Sequence, residues 1–309
     1  MKLKFLIYRR LALVFTVLYL KSHSVVCQIE FSTNVDSSRI HTKDINLFWQ
    51  IFDETNPKFD ANIFEEKYLK AGSDGLKGFI KMRVESGKNL SKTIKNNLDY
   101  YQAVRKHTLS IEDRTNNLRK YYHKLQNLYP KAVFPDIYFV IGAKNTGGTT
   151  FKKGLIIGAE MFGKETETFK PRIDFDYIDQ IVIHELIHFQ QHYVADNSLL
   201  AQSIKEGTAD FICELVTGRH SSQTIHEFAN PKEKELWEEF SAKMYTNDWT
   251  PWLYYSKDKS RPQDLGYWMG YKIVKSYYDN SGDKSKAIDE ILNIKNFKEF
   301  IEKSNYKPN

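Results

Sequence analysis

The chain has 309 residues, of which 41% are hydrophobic, 14% aromatic and 27% charged. These are the proportions of a globular protein, and they exclude a disordered, collagen-like or mucin-like chain. The net charge of +6 is concentrated at the start: residues 1–27 hold Lys2, Lys4, Arg9, Arg10 and Lys21 and no acid, which leaves 40 basic against 39 acidic residues, or +1, in the remainder. A balanced body gives no electrostatic case for nucleic-acid binding.

Met1–Arg10 reads as a basic leader and Leu11–Leu20 as an uncharged apolar run of ten residues. Such a run rises about 15 Å as a helix, half of the bilayer core of about 30 Å, so it is not expected to span a membrane. Residues 1–27 are therefore read as a signal peptide cut after Val25-Val26-Cys27, and the protein as exported to the periplasm, cell envelope or exterior. The alternative is a lipid anchor at Cys27; against it, Ser24 stands where lipidation commonly wants Leu, and Val26 where it wants a small residue.

Residues 28–309 read as a single domain, with a helical part over about 28–130 and a core over about 131–309. In the first part, Glu65–Lys70, Leu76–Glu85, Leu90–His107 and Ile111–Leu128 carry apolar residues at three- and four-residue spacing. Ser110 with Asp113 forms an N-terminal capping pattern. The character changes at Asp136–Ile141, which is rich in strand formers, and Asn145–Gly148 reads as a turn before a second strand over Gly154–Phe162. Helix returns over Phe175–Tyr193 and over Leu199–Val216, where Gly218 supplies a stop, with a short link at Ala195–Ser198. The last helices are expected over Gly266–Tyr278 and Ser285–Lys303. The fold class is α+β and mostly helical.

The chemistry concentrates in His184-Glu185-Leu186-Ile187-His188. Two histidines four apart stand one above the other on a helix, so both rings reach one metal ion, and the Glu between them reaches a water on that metal. Glu206-Gly-Thr-Ala-Asp210 follows eighteen residues after His188. Hydrolytic zinc commonly takes two His and a carboxylate and leaves a fourth position open, so Glu206 is the candidate third ligand. Asp210, one turn on, is placed to accept the outer N–H of a ligand histidine.

These motifs resemble the gluzincin pattern of zinc metallopeptidases. With Tyr138-Phe139-Val140-Ile141-Gly142, Gly147-Gly148 and Gly266-Tyr267-x-x-Gly270-Tyr271, the chain more closely resembles a bacterial family of predicted zinc-dependent proteases of uncharacterised function, over about residues 45–300. Some relatives there are envelope lipoproteins of gliding motility. The resemblance implies a gluzincin-like zincin fold, with a small sheet packed on the His-Glu-x-x-His helix. It implies one zinc ion per chain on His184, His188 and Glu206, Glu185 as general base, and a peptide or protein substrate. It also implies an oxyanion donor downstream of Glu206, for which Tyr267 and Tyr271 are the candidates, with Arg261 and His226 as further options. By analogy, Gly154–Phe162 is the edge strand that would hold a substrate backbone. The alternative function is a non-catalytic envelope protein of the gliding-motility type that keeps the fold.

Plainer readings apply to other residues. His192 lies eight residues from His184, about 12 Å along a continuous helix, too far to share the ion. Cys213 reads as a small buried hydrophobe. Glu214, one turn beyond Asp210, reads as a structural partner.

Overall fold

The computed structural model describes residues 31–254, 258 and 260–308. The expected export segment, Cys27 included, lies outside them. The first part of the described chain is helical: α1 (Lys43–Thr55), α2 (Ala61–Ile63), α3 (Asp74–Phe79), α4 (Gly87–Asn96), α5 (Leu98–Leu109) and α6 (Thr115–Leu128). Phe64–Leu69 and Ile80–Val84 continue α2 and α3 as π-helical turns. Asp60, Ser73 and Ser86 cap α2, α3 and α4 through side-chain oxygens that accept backbone N–H groups. The run expected over Leu90–His107 is divided at Asn97. Ser110 does not act as a cap; its hydroxyl donates instead to the His107 carbonyl, closing α5.

Four strands form a mixed sheet in the order β1 (Ile40–His41), β2 (Asp136–Val140), β4 (Gly154–Gly158), β3 (Gly148–Phe151). β1, β2 and β4 run parallel, and β3 pairs antiparallel with β4, Gly148 opposite Ile157. β4 is wholly buried and interior to the sheet, as a continuous apolar strand covered on both faces must be. The edge beside α7 is therefore β3, of which only Gly148 belongs to the turn expected over Asn145–Gly148, and not Gly154–Phe162. That segment ends as a strand at Gly158, turns through a 3₁₀ helix at Ala159–Met161, and pairs again only where β5 (Phe162–Gly163) meets β6 (Ile173–Asp174).

The second half is helical again: α7 (Ile178–His188), α8 (Leu199–Thr217), α9 (Gln223–Ala229), α10 (Glu233–Ser241), α11 (Leu265–Asn280), α12 (Lys284–Leu292) and α13 (Phe297–Ser304). The sheet packs on α7 through β3 and β4, α8 lies against the other side of α7, and α11 lies against α8. The α8–α11 crossing is close because it is built on glycine. A Cβ on Gly207 would stand 2.0 Å from the Tyr271 amide nitrogen, and one on Gly270 would stand 1.7 Å from the Ser203 carbonyl oxygen. The Gly266-Tyr-x-x-Gly270 motif is thus a packing device that draws the first turns of α11 against α8.

The structure is α+β and mostly helical, as expected. α7 stops at His188, five residues before the end suggested by apolar periodicity. Gln190 stops it: its amide donates to the Leu186 and Val133 carbonyls while its oxygen accepts the Val133 N–H. The connection to α8 is correspondingly longer and runs from Phe189 to Ser198. Ser198 then caps α8 by accepting the Ala201 N–H, and Gly218 in the left-handed region (φ 78°) ends it.

Candidate metal centre

α7 is apolar almost all round, with Ile178, Val182, Ile183, Leu186 and Ile187 at most 1% exposed. Burial of that surface fixes the helix between sheet and α8, so the histidines on its α8-facing side are held without freedom to swing outward. His184, His188 and Glu206 form a group that could hold a metal ion, each offering one ligand atom. Glu206 Oε2 is 3.3 Å from His184 Nε2 and 3.3 Å from His188 Nε2, and the two Nε2 atoms are 3.2 Å apart. Ligand atoms about 2.0–2.1 Å from a tetrahedral ion lie about 3.3–3.4 Å from one another, so the triangle fits zinc as it stands.

The outer nitrogens orient the rings. His184 Nδ1 is 2.7 Å from Asp210 Oδ1, and a carboxylate only accepts, so Nδ1 is the donor there and Nε2 is turned to the triangle. His188 Nδ1 is 2.8 Å from Gln191 Oε1, and Gln191 is held in that orientation because its NH2 donates to the Lys205 carbonyl. Ser221 also donates to Asp210 Oδ1, at 2.5 Å, from the loop that follows α8. Gln191, Ser221 and, further off, Tyr254 were not singled out in the sequence. Of the three, only Gln191 carried a local signal, three residues after His188.

Three carboxylates surround the two imidazoles. Burial lowers the pKa of His184, but Asp210 and Glu206 outweigh it and hold the ring well above its ordinary value. Burial raises Glu206, but His188 and His184 draw it well below the usual carboxylate range. For Glu185 burial dominates and raises the carboxyl. The donor set thus asks for a positive charge at its centre.

Glu185 projects from α7 toward the sheet edge. A Cβ on Gly148 would lie 2.6 Å from Glu185 Cγ and 2.8 Å from its Oε1, so Gly148 on β3 leaves the space that the side chain uses. The glycine pair of the sequence thus serves the close approach of an edge strand to the acidic residue between the histidines.

The two tyrosine candidates part company here. The Tyr267 ring lies face to face with that of His184, centroids 5.9 Å apart and planes 12° apart, and burial raises its phenol well above the usual range. Tyr271 turns the other way: its hydroxyl donates to Glu214, which also pairs with His220, and its ring meets His226 edge on. The structure therefore brings Tyr267 to the His184–His188–Glu206 triangle and places Tyr271 in a separate cluster. The stacked His220 and His226 rings belong to that cluster, 4.0 Å apart, and His226 is pushed down to about 4 by burial and by the neighbouring His220. Arg261 pairs with Glu239 and lies over the Trp252 ring. Glu214 has the structural partners expected of it, and Cys213 is fully buried with its thiol donating to the Gln180 carbonyl. His192 is not on a helix continuing from His184 at all; its N–H donates to the Leu292 carbonyl beyond the end of α7.

The sequence model of gliding motility protein GldB matches residues 30–308. The chain belongs to the GldB family. This is a lipoprotein family of the cell envelope, so the protein is exported and resides there, and the gliding-motility relation in the resemblance is the part that the match supports. No curated protein and no solved structure matches the chain. Among the described residues no helix is long and apolar enough to cross a membrane.

Proposed function

We propose that this protein is an envelope-anchored component of gliding motility that holds one zinc ion on His184, His188 and Glu206. The motility assignment rests on the family match. The observation that carries the metal assignment is the triangle of ligand atoms with edges of 3.2–3.3 Å, backed on both histidines by outer acceptors. The anchor is the lipid-modified thiol of Cys27, which fits a lipoprotein family better than soluble release. Substitution Cys27→Ser is expected to move the protein from the membrane fraction to the soluble one.

A second reading, peptide-bond hydrolysis, is favoured by one feature: Glu185 is retained and lies against the edge strand. Zinc supplies Lewis acidity there, polarising a carbonyl and acidifying water. The chain supplies the rest. Glu185 is placed to accept the proton of an attacking water and return it to the leaving amine. β3 offers its outer backbone edge to an extended polypeptide, which would add as a further strand. Tyr267, beside His184, is the candidate donor to the developing oxyanion.

Complementation separates the two readings. Cells lacking the gene are supplied with wild type, Glu206→Ala or Glu185→Gln. If the zinc centre serves motility, Glu206→Ala fails to restore gliding; full restoration by this variant would contradict the proposal. Failure of Glu185→Gln, with its zinc retained, selects hydrolysis, and restoration by it selects the non-catalytic role.

A further inference from the structure

The two oxygens of Glu206 have different partners. Oε2 faces Nε2 of both histidines at 3.3 Å. Oε1 accepts a hydrogen bond of 3.0 Å from the hydroxyl of Tyr254. A carboxylate with both oxygens free can ligate a metal through one or both, and the second mode consumes a coordination position that substrate or water would otherwise take. Which mode Glu206 adopts therefore depends on what holds Oε1.

Tyr254 reaches Glu206 from a distant loop by a specific backbone conformation. Its φ is 61°, in the left-handed region that disfavours residues with a side chain, so its surroundings must impose it. They do so from several sides. The Tyr254 N–H donates to Asp264 Oδ1 at 2.6 Å, and Asp264 itself stands at φ 62°. The Gly266 N–H donates to the Trp252 carbonyl at 2.8 Å, joining the loop to the start of α11. Trp252 is fully buried, Leu253 is 3% exposed, and the Trp249 ring packs edge to face on that of Tyr254. Tyr254 itself remains 50% exposed. Tyr254 is thus not a core residue, and the directed polar contact of its hydroxyl is the bond to Glu206.

We infer that Tyr254 is a positioning residue of the metal centre, whose hydroxyl occupies Glu206 Oε1 and confines that carboxylate to single-oxygen ligation through Oε2. The inference rests on the zinc reading proposed above. It gives Tyr254 a role in keeping the fourth coordination position open. It also links the loop of that residue to the metal, since displacing Tyr254 frees Oε1 to take the open position.

The test uses the purified full chain loaded with cobalt(II) in place of zinc, because visible cobalt absorption is strong in four-coordinate sites and weakens as ligands are added. The wild type is expected to show the strong four-coordinate spectrum. Tyr254→Phe removes only the hydroxyl and is expected to keep one metal per chain while its spectrum weakens and shifts toward higher coordination. Tyr254→Leu, which also removes the ring, is expected to show the same spectral change. Metal-free melting temperatures of wild type and Tyr254→Phe should agree, because the hydroxyl acts on the centre and not on the fold. Cobalt binding by the wild type with unchanged spectra in both variants would overturn the inference while leaving the metal centre standing. Failure of the wild type to bind cobalt or zinc would overturn the metal reading itself, and the inference with it.

Discussion

Asp210 Oδ1 accepts two hydrogen bonds at once, from His184 Nδ1 at 2.7 Å and from Ser221 Oγ at 2.5 Å. One carboxylate oxygen thus orients the His184 ring, a ligand in the zinc centre proposed above, and is itself fixed by the loop leaving α8. Loss of such an outer partner typically lowers metal affinity about 10–100-fold. Asp210→Ala is therefore expected to weaken zinc by that factor, and Ser221→Ala by less. Competition against a chromogenic chelator measures both, and equal affinity in wild type and Asp210→Ala would show that Asp210 does not support the ligand.

Gly148→Ala addresses the approach of β3 to Glu185. The added methyl falls 2.6 Å from Glu185 Cγ, so one of the two must move. On the hydrolytic reading a displacement of about 1 Å costs about 100-fold in rate. The variant is expected to retain its zinc and lose peptide hydrolysis on that scale. Undiminished turnover would mean that Glu185 tolerates displacement and is not the base.

Glu160 gives the protein a stability that depends on pH. Its side chain is wholly buried beneath the loop after β2, with Oε1 accepting the Lys144 N–H and Oε2 without a partner. Burial raises its pKa from 4.5 to about 7, against the backbone N–H groups of Gly142 and Lys144, which lower it. A carboxyl whose pKa is higher folded than unfolded favours the folded state below the unfolded value. That contribution is lost as pH rises from about 4.5 through about 7. A gap of that size corresponds to about 3 kcal/mol. Denaturant titrations of wild type and Glu160→Gln across pH 4 to 8 should diverge, the wild type losing stability relative to the variant as pH rises. Parallel curves would contradict the buried acid.

The α8–α11 crossing predicts two costly substitutions and one harmless one. Gly207→Ala and Gly270→Ala place a methyl against backbone atoms, which cannot yield as a flexible side chain can. Overpacking of this kind costs about 1–3 kcal/mol. Gly282→Ala meets nothing within 4 Å and is the control, expected within about 0.5 kcal/mol of wild type. Thermal unfolding ranks the three, and a Gly270→Ala protein as stable as the Gly282→Ala protein would contradict the crossing.

The parts of the site that were legible in the sequence are those set by local geometry. His184 and His188 share a face because they are four apart on a helix, and Glu206 and Asp210 share one for the same reason. What remained illegible was set by contacts distant in sequence. Nothing local says that α7 stops at His188, because Phe189 and Tyr193 prolong the apolar pattern; Gln190 ends the helix by bonding Val133, 57 residues away. β3 has no strand signature of its own: its first residue, Gly148, reads as the end of a turn, and Gly148–Phe151 becomes a strand only by pairing with β4. Tyr254 is 48 residues from Glu206, and no spacing rule connects them. The Gly266–Tyr271 motif was visible, but its two tyrosines could not be told apart until α11 was seated on α8, which turns Tyr267 to His184 and Tyr271 to Glu214.

The zinc content of the purified full chain, wild type beside Glu206→Ala, tests the central claim most directly. The account predicts one tightly held zinc per wild-type chain and a strongly weakened or lost ion in the variant. A wild type that takes up no zinc even after reconstitution, or a variant that binds it equally well, would contradict the His184–His188–Glu206 centre.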